Sequence, residues 1–459
     1  MTKRQVDVFE LSAGYVSRLR KAIAKEDKEF ILRTLKGVKA ADVSEVLEEL
    51  DGEECRYILQ LLDVEVGAQV IRDIDEDERG DFLELFSPEE LSPFIDELDS
   101  DDAVDILQQL GVRAREQVIS LLKEDEQAAY VMDLLRYGED CAGGLMAKEL
   151  IKVNLNWTVV RSIEEIRRQA EDVDKVYTLY VVDDYDKLLG RVSLKRIILA
   201  SDQTLISEIY EKDILSVETF MDQEEVASIM QKYDLEVIPV VNVRGMLAGR
   251  ITVDDIIDVI TEKAEEDRQI MAGISEDVQE DDSVWVLSRA RLPWLMIGMI
   301  GGVIAANFMG LFDGDISQIP ALATFVPLIT ATGGNVGLQS SSLVLQSLAN
   351  PSVIEDSLWK RLFKTLTVAI LNGSVLAGFV FLFNWLSAGG DPQGMKIAVT
   401  VSTALFSVVM LASTMGTVTP IVMDRLKINP ALASGPFITI VNDLLGLGVY
   451  FGVAHLVFY

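Results

Sequence analysis

The sequence predicts a multidomain membrane protein: an α-solenoid N-terminal domain, a tandem pair of α/β domains and an all-α membrane domain with five transmembrane helices. Three observations carry this. Apolar residues recur every twelve positions through the first third of the chain. A strand–helix–strand–strand–helix pattern occurs twice, 59 residues apart. Five apolar segments long enough to cross a bilayer fill the C-terminal part. The expected boundaries are 1–140 for the acidic helical domain, 141–252 for the α/β pair, 253–284 for a connecting helix and linker, and 285–459 for the membrane domain.

The charge distribution fits that division. Hydrophobic residues make up 49% of the chain, yet the net charge is −33. The two facts conflict for a single globule. Residues 288–459 hold seven acids and eight bases, so the first 287 hold 67 acids against 33 bases, a net −34. Nucleic-acid binding is unexpected, because phosphate contacts need a basic face. Self-repulsion on this scale is relieved by bound cations. A merely solvated acidic surface is the plain alternative. Cys55 and Cys141 have no ligand spacing and read as free thiols in a reducing compartment. The charged N-terminus lacks an apolar core segment, so no secretory signal peptide is expected.

In the helical domain, Leu50, Leu62, Ile74, Phe86, Leu98, Leu110, Leu122 and Leu134 keep the twelve-residue spacing. Asp51, Asp63, Asp75, Ser87 and Asp99 follow as N-cap types. Glu54, Glu78 and Glu90 stand three residues after Asp51, Asp75 and Ser87, which is capping-box spacing. Pro88 falls at a first helical position, where a missing N–H costs nothing. Short helices stacked as a solenoid follow over about 10–135.

In the duplicated unit, Tyr180-Val181-Val182-Asp183 leads to Leu189-Gly190-Arg191-Val192-Ser193, and Pro239-Val240-Val241-Asn242 leads to Ala248-Gly249-Arg250-Ile251-Thr252. This tandem resembles a pair of CBS domains over about 145–262. The resemblance implies binding of adenine nucleotides or a regulatory hinge. Thr252 and Asp255 resemble a ribose-contacting pattern, whereas the first copy has Ser193 and Arg196 there. Equally, Thr252 caps the helix that follows and Asp255 lies on its first turn. That helix is long and charged, from Val253 to about Met271, and an acidic linker, Ser275–Ser283, follows it.

The expected spans are about 293–312, 319–347, 365–388, 396–423 and 432–458. A Gly-Gly-Asn break is expected to interrupt the second. Arg289, Arg291, Lys360, Arg361, Lys364, Arg425 and Lys427 fall on one side of the membrane and Lys396 alone on the other. The positive-inside rule therefore puts the N-terminal domains in the cytoplasm and the C-terminus outside. Asp443 is the only ionised side chain read as lying inside a span. A carboxylate in lipid faces a cavity, an ion or a partner helix. Gly435 and Thr439 lie eight and four residues before it, on its helical face, and leave a lane open in front of it. An Asp packed neutral against another helix is the alternative. Mg²⁺ takes oxygen ligands and dehydrates reluctantly. One Asp443 is thin provision for it, so a homodimer with a shared pathway is expected. Soft metals are disfavoured, because the spans lack Cys and His455 lies at a span end.

The acidic repeat, the CBS-like pair, the connecting helix and the five spans occur in the order found in MgtE-type magnesium channels. Gly333-Gly334-Asn335-Val336-Gly337-Leu338-Gln339 and the stretch from Asn429-Pro430-Ala431-Leu432 to Asn442-Asp443 resemble that family's membrane signatures. The resemblance implies a homodimeric Mg²⁺-selective channel in the cell (inner) membrane, closed by intracellular Mg²⁺ and modulated by ATP. It puts the pore carboxylate on Asp443, with Gly435, Thr439 and Asn442 lining the pore. Regulatory metal ligands fall on Asp101, Asp105, Asp234, Asp255, Asp258, Glu266 and Asp267. Two positions depart from the family pattern: Lys263 and Asn429 stand where acids are expected. Catalysis is not expected, since neither a His-Glu-x-x-His pair nor a P-loop occurs. The alternatives are transport of Co²⁺ or another ion, secondary transport, and a membrane-bound nucleotide sensor.

Overall fold

A computed structural model of the chain describes residues 11–170, 173, 176, 178–275, 278–279, 282–348, 358–433 and 435–458. The side chain of Glu78, much of the acidic linker, Glu355 and Asp356 lie outside the described residues. The chain divides into two compact units, residues 1–259 and 260–459. The division falls inside the connecting helix, and the helical domain and α/β pair together make the first unit.

The first unit opens with short helices: α1 (Ala13–Ile23), α2 (Lys28–Leu35), α3 (Ala40–Glu48), α4 (Gly52–Leu59), α5 (Val64–Arg72), α6 (Glu76–Leu83), α7 (Pro88–Ile95), α8 (Ser100–Gln109), α9 (Val112–Leu121) and α10 (Asp125–Leu134). Next-but-one helices pack together, α3 on α5, α5 on α7, α7 on α9 and α8 on α10, as in a solenoid. The twelve-residue repeat places its apolar member just past a helix end or at its last residue, and Ile74, Phe86, Leu98, Leu110 and Leu134 are buried there. The expected boxes form at Asp51 and Ser87, and the third falls on the Glu78 side chain outside the described residues. The Asp51 carboxylate accepts the Glu54 N–H at 3.0 Å, and Glu54 Oε2 accepts the Asp51 N–H at 3.3 Å. Glu90 accepts the Ser87 N–H at 2.9 Å, with Pro88 at the first helical position.

The α/β pair follows as expected. Strands β1 (Ile151–Asn154), β2 (Leu179–Val182) and β3 (Leu188–Val192) form one sheet, and β4 (Val217–Glu218), β5 (Val237–Val241) and β6 (Leu247–Thr252) the other. In each sheet the first two strands run parallel and the last two antiparallel. Helices α11 (Val159–Gln169), α12 (Leu194–Leu199), α13 (Ile206–Ile209) and α14 (Gln223–Tyr233) complete the pair. The duplicated glycines have one physical reason. A Cβ on Gly190 would overlap the Glu211 carbonyl, and one on Gly249 would come within 2.7 Å of the Ala147 carbonyl oxygen. The two hairpins join through backbone bonds, Leu188 N–H to Gly245 O at 3.0 Å and Leu247 N–H to Asp186 O at 2.9 Å. Helix α15 (Val253–Ala272) leaves β6 directly.

The second unit holds five helices long and apolar enough to cross a membrane: α16 (Val284–Gly310), α18 (Ala321–Leu348), α19 (Leu358–Ser387), α20 (Pro392–Arg425) and α21 (Pro436–Phe458). A short α17 (Asp313–Gln318) links the first two, and a 3₁₀ turn, Pro430–Ala433, precedes the last. The expected break in the second span is absent. Helix α18 runs unbroken through Gly333, Gly334 and Gly337, which are buried and serve close packing instead. A Cβ on Gly333 would stand 3.0 Å from Val408, one on Gly334 3.3 Å from Thr439, and one on Gly337 would overlap the Asn442 amide. Helices α18, α20 and α21 make the core of this unit. Tyr450 donates to the Leu322 carbonyl at 2.8 Å, and Phe312 stacks on Phe451 at 4.6 Å. Helices α16 and α19 leave large apolar side chains such as Leu295 and Phe379 exposed, as lipid or another apolar surface requires.

Replacing Asp51 by Ala removes both arms of the α4 capping box. A loss of about 0.5–2 kcal/mol of N-terminal-unit stability is expected, read as faster hydrogen exchange of α4 amides in the full chain. Unchanged exchange would show that the cap carries no weight.

Candidate functional site

Neighbouring loops and helix ends bring acids together in the first unit. The Asp99-Ser100-Asp101-Asp102 run starts α8, and the last residue of β6 leads into Asp254, Asp255 and Asp258 of α15. With Asp73 and Asp105 they line a cavity of about 630 Å³. Arg72, Arg79 and Arg250 also line it, so acids outnumber bases eight to three. Arg72 holds Asp73 at 3.0 Å and Asp102 at 3.5 Å. Arg250 is buried, pairs with Asp99 at 3.4 Å and donates to the Glu149 carbonyl. Glu149 is fixed by Ser100, whose hydroxyl donates to it at 2.9 Å and whose N–H donates at 3.2 Å. Asp99, Asp101 and Glu149 each offer an oxygen within 4.8 Å of the others. Such hard oxygen donors suit Mg²⁺ or Ca²⁺ rather than a soft metal.

Crowding shows in the acidities. Burial, then the neighbouring Asp255, Asp102, Glu149 and Asp99, push the Asp101 carboxyl well above the usual range. Burial raises Asp102 to about 7 against the opposing pull of Arg72. Burial raises Asp255 to about 6, although Thr252 stabilises its charged form. Glu149 is raised by burial and by Asp99. Desolvated carboxylates this close hold protons unless a cation replaces them.

Of the seven expected regulatory acids, four meet here: Asp101, Asp105, Asp255 and Asp258. Asp99, Asp102, Asp254 and Glu149 join them, and sequence reasoning missed these. The acidic run at the start of α8 was the available signal for the first two; nothing in the sequence marks Glu149. Asp234 lies elsewhere: it caps α14 in a left-handed conformation, φ +52°, and is exposed. Thr252 and Asp255 bond each other, Oγ1 to Oδ2 at 2.7 Å and N–H to Oδ2 at 3.0 Å, which is the capping arrangement. They face the acidic cavity, where a phosphate is repelled. A separate small cleft beside β1 and β2 is lined by Ile151, Val173, Val176, Thr178, Tyr180 and Arg250, and the buried Tyr180 hydroxyl has no hydrogen-bond partner among the described residues.

In the second unit, the end of α15 carries Glu266 and Asp267, and each has a partner within the chain. Lys263 pairs with Glu266 at 2.8 Å. Asn429 donates to Asp267 at 3.2 Å, and its carbonyl accepts the Ala431 N–H at 2.8 Å. The two departures from the family pattern thus supply a cation and an amide to those two acids. Gly435 precedes α21 rather than lying on it, with φ +58°, and a Cβ there would overlap the Met271 carbonyl. It permits that close approach. Thr439 donates to the Gly435 carbonyl at 3.0 Å and packs on Gly334. Asn442 is 2% exposed, against Gly337. Asp443 is half-buried, and among the described residues no hydrogen bond or ion pair reaches its carboxylate. Asn335 and Gln339 are exposed, one turn apart on α18.

Comparison with known proteins agrees with this organisation. A family model described as a divalent cation transporter, MgtE, matches residues 326–453. A model of the MgtE intracellular N domain matches 38–140, and CBS domain models match 142–202 and 206–262. The chain is 31% identical over 321 residues to the magnesium transporter MgtE of Bacillus subtilis, covering 70% of each chain. It is 35% identical over 332 residues to the magnesium transporter MgtE of Thermus thermophilus, covering 72% of each. A crystal structure described as the cytosolic domain of the Mg²⁺ channel MgtE in complex with ATP superposes with a TM-score of 0.50 at 35% identity, covering 53% of this chain and 99% of that one.

The lowered acidities set a pH dependence. The folded form keeps protons on Asp102 and Asp255 up to about 7 and 6, whereas the unfolded chain releases them near 4. Folded-state proton binding is thus in excess between those limits, and stability falls as pH rises through them. In metal-free buffer the N-terminal unit of the full chain is expected to melt at lower temperature at about pH 7.5 than at about pH 5.5. Millimolar Mg²⁺ at the higher pH is expected to restore the difference. A melting temperature that rises with pH in metal-free buffer would contradict the arrangement.

Proposed function

Because this chain belongs to the MgtE family of divalent cation transporters, we propose that it is a homodimeric Mg²⁺-selective channel for Mg²⁺ uptake, closed by intracellular Mg²⁺. Members of this family transport and do not catalyse. The observation that carries the regulatory part is the acidic cavity: eight aspartates against three arginines, built from both the helical domain and the start of the connecting helix. Asp101, Asp105, Asp255 and Asp258 would hold Mg²⁺ there, with Asp99 and Glu149 as further oxygen donors. Bound Mg²⁺ supplies the positive charge that lets these carboxylates stay together unprotonated. Removing it leaves repulsion, and a cation that binds the assembled form better than the spread form shifts the equilibrium toward assembly. Asp255 and Asp258 lie on the first turns of the connecting helix, so the cation acts directly on the element that leads to the membrane. Glu266 and Asp267, satisfied by Lys263 and Asn429, leave less need for Mg²⁺ at the other end of that helix.

Permeation is assigned to Asp443. Its carboxylate has no partner among the described residues, and an isolated charge in a span is costly unless it meets an ion or water. Asn335 and Gln339 present polar side chains on an open face of α18. That suits a water-lined path or a second copy better than lipid. Two Asp443 carboxylates across a twofold axis would meet a largely hydrated Mg²⁺. The loop charges support an orientation with the N-terminal unit in the cytoplasm and the C-terminus outside. ATP binding to the CBS pair is supported by the complex of the similar cytosolic domain. Co²⁺ or another ion, or secondary transport, remains the alternative that recordings distinguish.

In a Mg²⁺-auxotrophic host, Asp443→Ala is expected to lower Mg²⁺ uptake by about tenfold or more, the effect of about 1.4 kcal/mol on the ion in the pore. Wild-type uptake by that variant would remove Asp443 from the path. In patch recordings with Mg²⁺ as the only permeant cation, Asp255→Asn with Asp258→Asn is expected to raise the cytosolic Mg²⁺ concentration needed for closure by about tenfold. Unchanged inhibition would take the cavity out of gating, and flux saturating at transporter-like rates without unitary currents would favour secondary transport.

A further inference from the structure

Hydroxyl side chains inside the second unit commonly bond within the helices. Thr330, Thr400, Thr414, Thr417 and Thr419 each donate to a carbonyl one turn back in their own helix, at 2.8–3.1 Å. Ser340 and Ser413 bond each other across α18 and α20 at 3.0 Å. These bonds are what a low-dielectric interior demands. Three buried side chains, Ser341, Ser402 and Asn442, have polar atoms with no partner among the described residues. Asn442 is 2% exposed, and both its amide nitrogen and its amide oxygen are of this kind. The amide lies on Gly337 so closely that any Cβ there would overlap its nitrogen. One turn along the same face of α18, Ser341 is fully buried and its hydroxyl also lacks a partner. The rise from Gly337 to Ser341 is about 6 Å, a distance that one or two waters bridge. A donor, an acceptor and a hydroxyl grouped over a side-chain-free backbone match the needs of water, which takes two to four such partners. A bare cation fits less well, since the amide N–H₂ would oppose it.

We propose that Asn442, Gly337 and Ser341 form a buried water-binding site on the seam between α18 and α21, and that its occupancy is required for ion passage past Asp443. The functional half rests on the channel reading above; the water site does not. Asn442 precedes Asp443 directly, so water held there loosens the seam that positions the carboxylate's helix. A dry seam would lock it. Asn442 is therefore a positioning residue that acts through the neighbouring Asp443.

The test uses the full-length protein in lipid nanodiscs. A density map that resolves ordered water is expected to show at least one within about 3.2 Å of the Asn442 amide; a well-resolved dry amide overturns the site. Asn442→Leu keeps the branching and removes both polar atoms. Because the water and the amide it satisfies leave together, its melting temperature is expected to stay within about 2 °C of wild type, while it passes Mg²⁺ roughly tenfold more slowly. Asn442→Ser keeps a hydroxyl and makes room for water, and is expected to stay within about threefold of the wild-type flux. Undiminished flux in a folded Asn442→Leu would make the residue merely structural and overturn the functional half. If Asn442→Leu does not fold, a large loss of flux in a folded Asn442→Ser overturns that half instead. A wild-type protein that shows the water and no Mg²⁺ current refutes the channel reading and leaves the site standing.

Discussion

Mutual repulsion of desolvated carboxylates is the constraint on which the rest of this structure depends. The start of α8 and the start of α15 both carry acids, and the fold closes them around one cavity. Arg72 and Arg250 neutralise Asp73, Asp102 and Asp99 only in part. The remainder is met by protons, in keeping with the lowered acidities of Asp101, Asp102, Asp255 and Glu149, or by a cation. The contact is conditional by construction. An apolar interface of the same area would stay closed whatever the ion concentration, because burial of apolar surface does not respond to it. A carboxylate interface closes when something positive arrives, and that property suits a sensor.

The membrane unit uses a different economy of contact. Its core is held by close approach, with Gly333, Gly334 and Gly337 on α18 meeting Val408, Thr439 and Asn442. Lipid supplies no hydrophobic drive between helices, so small residues that let backbones approach are the main source of attraction. The same glycines that look like helix breakers in a sequence are well-behaved helical residues there, since an α-helix tolerates glycine when packing rewards it. At the membrane end of α15 the logic recurs. Gly435 accepts a positive φ and admits the Met271 carbonyl, while Lys263 and Asn429 answer Glu266 and Asp267 without an ion. Crowded carboxylates are thereby gathered at the first turns of α15 rather than at its end.

Much of this was legible along the chain. Period-twelve apolar residues with caps announced the short helices, and Asp51, Glu54, Ser87 and Glu90 form the predicted boxes. The duplicated strand–Gly–strand pattern announced two sheets of equal topology. Five apolar runs announced five helices, and Asp443 stood out because charge is rare in such a run. Four of the cavity's aspartates were named from the family resemblance. Less was legible where partners come from distant segments. Glu149 joins Asp99 and Asp101 across 48 or more residues, through Ser100, and no local pattern encodes that. Asn442 reads as pore-lining beside Asp443 until the packing of α18 shows which way its amide is covered.

By itself the sequence determined the elements, their order, the split between an acidic part and an apolar part, and the presence of one carboxylate in a span. These follow from periodicity, capping and transfer free energy, which act over a few residues at a time. Tertiary structure alone decided which acids share a cavity, which acids are already satisfied by Lys263 and Asn429, and that Gly435 and Asn442 serve helix contacts. Those outcomes depend on distances between segments far apart in the chain, and charge repulsion and desolvation take their strength from just those distances.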